Sequence, residues 1–307
     1  MDRVNQLRMS PNQIETKVAF ALGITVVIWG SAFAAIRVAL HAYGPGEMAL
    51  LRLLFASAAL AIYAGITRMR LPAIRDLPGI FLLGFVGFGF YNTALNFGEV
   101  TTLAGVTSLL IATAPIFAAL FARIFLHEHL GTRGWVGVSI AFAGVVLIVA
   151  GQQGNFGVSR GAMFILAAAI SAAIYFVIQR PFLKRYSSLE LTTYSIWAGT
   201  LLIAFFLPGL YGQCRAASWQ MTAAVAYLGV FPAALGYVLW NYALSKLPVS
   251  RVASFLYLVP LVAMACGWVM LRELPTLLSL CGGPVAVVGV YMVNTRKKKL
   301  ARQSETK

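Results

Sequence analysis

Apolar runs recur ten times along this chain, over residues 18–40, 47–66, 78–97, 102–126, 134–150, 160–179, 190–208, 219–244, 250–271 and 276–294. At a rise of about 1.5 Å per residue, a helix of roughly twenty residues crosses the ~30 Å hydrocarbon core of a bilayer. Lipid offers the backbone no hydrogen bonds, so a spanning segment must be a helix or a strand of a closed barrel. A barrel strand alternates apolar and polar positions, and these runs do not. The predicted fold class is therefore an all-α membrane protein with ten transmembrane helices. Charged residues make up 11% of the chain, well below the roughly 25% of a soluble domain, which agrees.

Little chain remains outside these runs: the tails 1–17 and 295–307, and loops at 67–77, 180–189 and 209–218. No soluble catalytic or nucleotide-binding domain fits there, and no GxxxxGK[ST] loop occurs. The net charge of +15 raises nucleic acid as a partner, but its placement argues against it. With the N-terminus in the cytoplasm, eighteen of the 24 Lys and Arg residues fall in inner segments, from Arg3, Arg8 and Lys17 to the "RKKKLAR" tail. Arg160, Arg215 and Arg272 fall outside, and Arg37, Arg52 and Arg123 lie within spans. That bias is the positive-inside pattern. It predicts a multi-pass protein of the cell (inner) membrane with both termini cytoplasmic, the lipid bilayer as partner and no nucleic acid. Cys214, Cys266 and Cys281 form no CxxC and the histidines do not cluster, so neither a disulfide framework, a metal nor a cofactor is expected. "KVAFALGITVVIWGSAFAA" (17–35) resembles a signal peptide but reads as an uncleaved first span, because its loss would leave nine.

The stretch "PIFAALFARIFLHE", Pro115 to Glu128, has a counterpart in "PLVAMACGWVMLRE", Pro260 to Glu273. Subtracting 145 carries Pro260 to Pro115, Gly282 to Gly137, Ala286 to Ala141 and Gly289 to Gly144. "NTAL" at 92–95 matches "NYAL" at 241–244 with an offset of 149, and Glu47 faces Glu190 with 143. Matches in fixed order across five spans define a duplication, with copies at 18–150 and 160–294. Five spans per copy is an odd number, so the two copies enter the membrane in opposite orientations. Inverted repeats recur in secondary transporters, where a small-molecule substrate sits between the halves near the midplane. Pro115 and Pro260 are expected to kink spans four and nine and to act as gates. Gly137-xxx-Ala141 and Gly282-xxx-Ala286 are expected seams of close helix approach, inside one bundle or between two, leaving monomer and homodimer both open.

Polar groups within spans usually face the bundle interior. Arg52, whose planar fork suits a carboxylate, is a candidate substrate ligand; the alternative is a pair with Glu47 or with helix-end carbonyls. Arg37 is expected to snorkel to the interface. Asn92 and Asn96 stand one turn apart on span three beside Tyr91, and Trp240 and Asn241 hold the equivalent place on span eight. Trp29, Tyr175, Gln179 and Tyr257 are further candidates; all of these also fit simple packing. The glutamates Glu47, Glu99, Glu128, Glu190 and Glu273 fall at span ends, so no acid stands at the midplane as a proton relay. Glu128 and Glu273 are read as turn residues.

"WGSAFAAIR", "PGEMALLRLLFA", "YNTALNFGEVTTLAGVTSLLIATAPIFAALFARIFLHEHL" and "GVSIAFAGVVLIV" resemble EamA-type members of the drug/metabolite transporter superfamily, and the resemblance runs over about 18–294. It implies a ten-helix bundle with a central cavity, moving amino acids, other metabolites or drugs, often outward. The rival class is a membrane-embedded lipid-modifying enzyme. Such chemistry generally needs convergent acids, histidines or metal ligands, and His41, His127 and His129 lie at loops.

Overall fold

A computed structural model describes residues 11–125, 132–153, 159–246, 252 and 254–294. The tails at 1–10 and 295–307 and the stretch with His127, Glu128 and His129 lie outside these residues, as do the side chains of Arg123 and Tyr257. The described chain is helical, with no strand among the described residues. In order the helices are α1 (Pro11–Ala39), α2 (Pro45–Thr67), α3 (Ile74–Glu99), α4 (Ala104–Ile111), α5 (Ala114–Phe125) and α6 (Thr132–Gln153). They continue with α7 (Arg160–Leu183), α8 (Ser188–Leu202), α9 (Ala204–Ala216), α10 (Trp219–Lys246), α11 (Val259–Leu271) and α12 (Leu277–Asn294). Of these, α1, α2, α3, α7 and α10 are each long and apolar enough to cross a membrane, as are α8 and α9 taken together across a 48° bend. The regions of α4–α5, α6, α11 and α12 form shorter apolar helices. Large apolar side chains such as Phe20, Ile66, Phe205 and Leu277 point outward, as a lipid-facing surface requires.

Local chemistry sets the boundaries. Pro45 opens α2, where its missing N–H costs nothing, and Arg68 closes it in the left-handed conformation at φ 49°. Ser187 and Glu190 form a reciprocal capping box on α8. The expected continuous spans 102–126 and 250–271 are both interrupted. Pro115 sits in the first turn of α5, behind the break at Ala112–Thr113, and Pro260 in the first turn after a 3₁₀ segment, Ser254–Leu258. A proline cannot donate to the preceding turn, so each marks the start of a new helix and not a bend within an old one.

Three helices contain π turns: Phe85–Gly89 in α3, Gly229–Gly236 around Pro232 in α10, and Gly267–Leu271 in α11. Such a turn disturbs the backbone hydrogen-bond ladder, and in α3 and α10 a neighbouring side chain bonds a carbonyl. Ser171 Oγ donates to Val86 O at 2.6 Å, and Trp29 Nε1 donates to Pro232 O at 3.0 Å.

Helix packing has a regular pattern. α3 lies on α7 and α10 on α1; α5 lies on α7 and α11 on α1; α3 meets α8 and α10 meets α2; α6 pairs with α12. Exchanging each helix with the one five spans away leaves this set unchanged. Four close approaches of glycine to backbone obey the same exchange. A Cβ on Gly84 would stand 2.6 Å from Ser195 O, and one on Gly229 would stand 2.5 Å from Arg52 O. A Cβ on Gly144 would stand 2.4 Å from the Ala286 nitrogen, and one on Gly289 would stand 2.3 Å from that of Ala141. The seam expected at Gly137-xxx-Ala141 therefore lies inside the chain, between α6 and α12. Leucine at Gly144 or Gly289 overpacks this contact, at a cost of about 1–3 kcal/mol. Thermal denaturation in detergent should show G144L and G289L melting well below the native protein. G65L, where the added Cβ meets open space, should leave the midpoint unchanged.

Candidate functional site

The breaks before Pro115 and Pro260 flank one interior cavity. Ile111, Ala112 and Ala114 line it from the first break, and Leu256 and Val259 from the second. Trp29 and Phe33 of α1, Arg52 of α2, Tyr91 and Leu95 of α3 and Tyr237 of α10 complete most of the wall. Its volume is about 60 Å³, room for a few waters. A site that encloses a small ligand holds roughly 300–1,000 Å³, so the chamber is constricted in this state.

Arg52 is the exceptional group in that wall. It is 4% exposed, and its Nε and Nη1 have no hydrogen-bond partner among the described residues. The alternative pair with Glu47 is not formed among the described residues. A buried donor left unpaired costs free energy, the more so when charged. The arrangement presents a guanidinium without a hydrogen-bond partner to an apolar chamber.

Beside it lies an aromatic cluster. Trp29 touches Tyr237 and Trp240, each with ring centroids at 5.2 Å, and Tyr237 meets Phe88 at 4.6 Å. Tyr175 stands edge-on to Phe88 at 5.6 Å. Of the sequence candidates, Trp29, Arg52 and Tyr91 reach the cavity wall. Tyr175 and Trp240 lie behind it in the cluster. Asn92 donates to Phe88 O in its own helix, Asn96 to Pro45 O at 3.0 Å, and Asn241 to Thr192 Oγ1 at 2.9 Å. Those bonds tie α3 to α2 and α10 to α8, and none of the three asparagines lines the chamber. Gln179 is buried with its amide unpartnered. The sequence reading missed Tyr237, Ser108 and Phe176. Tyr237 precedes Asn241 by one turn, so the i, i+4 rule was the available signal.

One end of the bundle is fastened by charge. Arg37 pairs with Glu273 at 2.9 Å, and its Nη1 also donates to Glu99 O at 2.7 Å. The second Glu273 oxygen accepts from the Ala104 nitrogen at the start of α4. One ion pair thus joins α1, α3, α4 and the turn after α11. Where the sequence suggested a snorkelling Arg37 and a turn role for Glu273, the structure holds Arg37 on Glu273 and two carbonyls, and Glu273 does more than close a turn. At the opposite end Asp76 accepts from Arg185 Nη1 and from the Tyr186 hydroxyl, both at 2.7 Å. Burial, and then the bond to Asp76, push the Tyr186 phenol above its ordinary pKa. Tyr43 and Thr222 make the matching contact at the fastened end, at 2.7 Å.

An outward-facing apolar surface, helices of membrane-crossing length and a polar spot sealed within define a multi-pass membrane protein built around an internal chamber. Comparison with known proteins narrows the class: residues 16–150 and 159–295 each match the EamA-like transporter family, and the chain belongs to it. It is 42% identical to "Uncharacterized transporter YdfC" of Bacillus subtilis (strain 168), over 92% of this chain and 93% of that one. It is also 42% identical to a "Probable terminal-alkyne amino-acid exporter" of Streptantibioticus cattleyicolor, over 95% and 98%. Identity to a "Probable amino-acid metabolite efflux pump" of Salmonella typhimurium is 28%, over 94% and 99%. A solved crystal structure shares the fold, with a TM-score of 0.63 at 21% identity, over 94% of this chain and 99% of that chain.

Double-mutant analysis checks the fastened end. R37Q and E273Q should each lower stability, and the double variant should cost less than the sum of the two. Charged hydrogen bonds contribute about 1.5–3 kcal/mol, so a coupling of that order is expected from denaturant melts.

Proposed function

We propose that the chain is a secondary transporter exporting amino acids or related small metabolites, with drugs as a further cargo class, by alternating access. The observation that carries this reading is the unpartnered guanidinium of Arg52 in the wall of a constricted apolar chamber. A carboxylate supplies the two-pronged acceptor that Arg52 lacks, and the faces of Trp29, Tyr91 and Tyr237 suit an apolar body. The printed names of two relatives, an amino-acid exporter and an amino-acid metabolite efflux pump, point to the same chemistry and direction.

The architecture that fits is ten transmembrane helices arranged as two inverted five-helix repeats, 18–150 and 160–294. In support, helix pairing is unchanged by exchange of the halves, the close contacts at Gly84 and Gly229 correspond, and the family matches twice. The positive-inside bias supports cytoplasmic termini in the inner membrane. In that orientation the Arg37–Glu273 end faces outward, and this state is closed to the outside. Pro115 and Pro260, where the broken helices meet the chamber, are the places for each half to hinge.

Reconstituted protein offered a panel of labelled amino acids and cationic drugs should exchange apolar amino acids across the vesicle membrane. R52Q should weaken apparent affinity about 10- to 100-fold, the equivalent of a lost charged hydrogen bond. Unaltered exchange by a folded R52Q would overturn the role of Arg52, and a native protein that moves no amino acid would overturn the substrate class.

A further inference from the structure

Glu99 ends α3 and is 0% exposed, yet neither of its carboxylate oxygens has a hydrogen-bond partner among the described residues. The other buried or paired acids are accounted for. Asp76 is held by Arg185 and Tyr186, Glu190 caps α8, and Glu273 is held by Arg37 and Ala104. Position along the helix adds to the case. Tyr91, Leu95 and Glu99 follow one another at i, i+4 and i+8, which places them on one face. Tyr91 and Leu95 line the chamber. Glu99 is the next residue on that face, about 6 Å further along the axis toward the fastened end. An ionisable group inside a membrane protein with no structural partner points to transport of charge.

We propose that Glu99 is the binding site of a coupling proton, which the transporter exchanges for its substrate. The proposal rests on the transport reading above. The charged and titratable groups that face Glu99 are Arg37 of α1, Arg52 of α2 and Glu273 after α11, with Tyr91 two turns back on its own helix. On the remaining side α7 presents Gly161 and Ile165 against the neighbouring Gly98. Arg37 and Glu273 satisfy each other. Arg52 and Glu99 are left without hydrogen-bond partners, the first in the chamber wall and the second one turn beyond Leu95. A metal ion would need several further oxygen ligands, and the nearby carbonyls of Glu99 and Val100 already accept from Arg37. A proton needs only the carboxylate.

The exchange follows from the two charges. A zwitterion whose carboxylate rests on Arg52 directs its ammonium toward Glu99. The ammonium and the proton then compete for one carboxylate. The proton is taken up on a Glu99 oxygen from the outer compartment once the Arg37–Glu273 pair has parted. It leaves to the cytoplasm when the substrate ammonium arrives, so protons move in as substrate moves out. Arg37 bonds both Glu99 O and Glu273, which puts the proton site and the closure on the same side chain.

Two measurements on the full-length protein test this. Infrared difference spectra between acid and alkaline buffer need no substrate. They should show the carbonyl band of a protonated carboxylic acid that is absent in E99Q and retained in E273Q. In phosphatidylethanolamine–phosphatidylglycerol vesicles, an imposed pH gradient should raise native accumulation of labelled leucine and phenylalanine severalfold over no gradient. E99Q should gain nothing from a gradient, whatever exchange it keeps without one, and E99D should regain the response. Accumulation in E99Q that follows the gradient as in the native protein overturns the proposal. Absence of the acid band from the native protein overturns it as well, whether or not E99Q folds. Failure of native exchange would strike the transport reading, while the infrared band reports on Glu99 independently.

Discussion

A membrane interior supplies no water, so each polar group must find its partner within the protein. The fold follows from that requirement. It makes every described element a helix, and it explains what happens where a helix is irregular. The π turn of α3 has its Val86 carbonyl bonded by Ser171, and the turn of α10 around Pro232 has its carbonyl bonded by the Trp29 indole. The asparagines of α3 and α10 bond to backbone or hydroxyl groups. Arg37, buried enough to need an anion, has Glu273. Against this background two buried ionisable side chains without a hydrogen-bond partner among the described residues stand out: Arg52 in the chamber wall, and Glu99 one turn beyond Leu95 on α3.

Lipid offers no hydrophobic drive for one helix to leave it for another, so close packing depends on small residues and short interhelical contacts. Gly144 against Ala286 and Gly289 against Ala141 let α6 and α12 touch backbone to backbone. Gly84 of α3 against α8, and Gly229 of α10 against α2, do the same elsewhere in the bundle. These contacts come in pairs because the chain is duplicated, and the halves therefore present matching surfaces. The breaks that precede Pro115 and Pro260 meet at the chamber between them. A small cavity bounded by two equivalent broken helices, with an ion pair fastening one end of the bundle, is what the proposed alternating access builds on.

Much of this was legible in the sequence. The apolar runs located the helices long enough to cross a membrane, the shared pattern of Pro115 and Pro260 anticipated the twofold family match, and the α6–α12 seam follows from its glycines and alanines. Arg52 was visible as a cation inside a span. What stayed hidden is tertiary. Nothing local links Arg37 to Glu273 across 236 residues, and the snorkelling expected of Arg37 is what an isolated helix would do. Glu99 reads as one of several end-of-span acids until the helices packed around it show that it is dry and unpaired. Asn92, Asn96 and Asn241 have the residue type of ligands, but a helix face alone does not say whether an amide meets a cavity or a neighbouring helix.

Alternating closure is the claim on which the functional reading turns, and the fastened end is the place to watch it. Spin labels at His41 and Leu274, both exposed beside the Arg37–Glu273 pair, would report their separation by double electron–electron resonance in lipid nanodiscs. Opening and closing predicts a short and a long distance whose populations shift when amino acid is added. A single distance, unmoved by an amino acid that the same labelled protein transports, would contradict it.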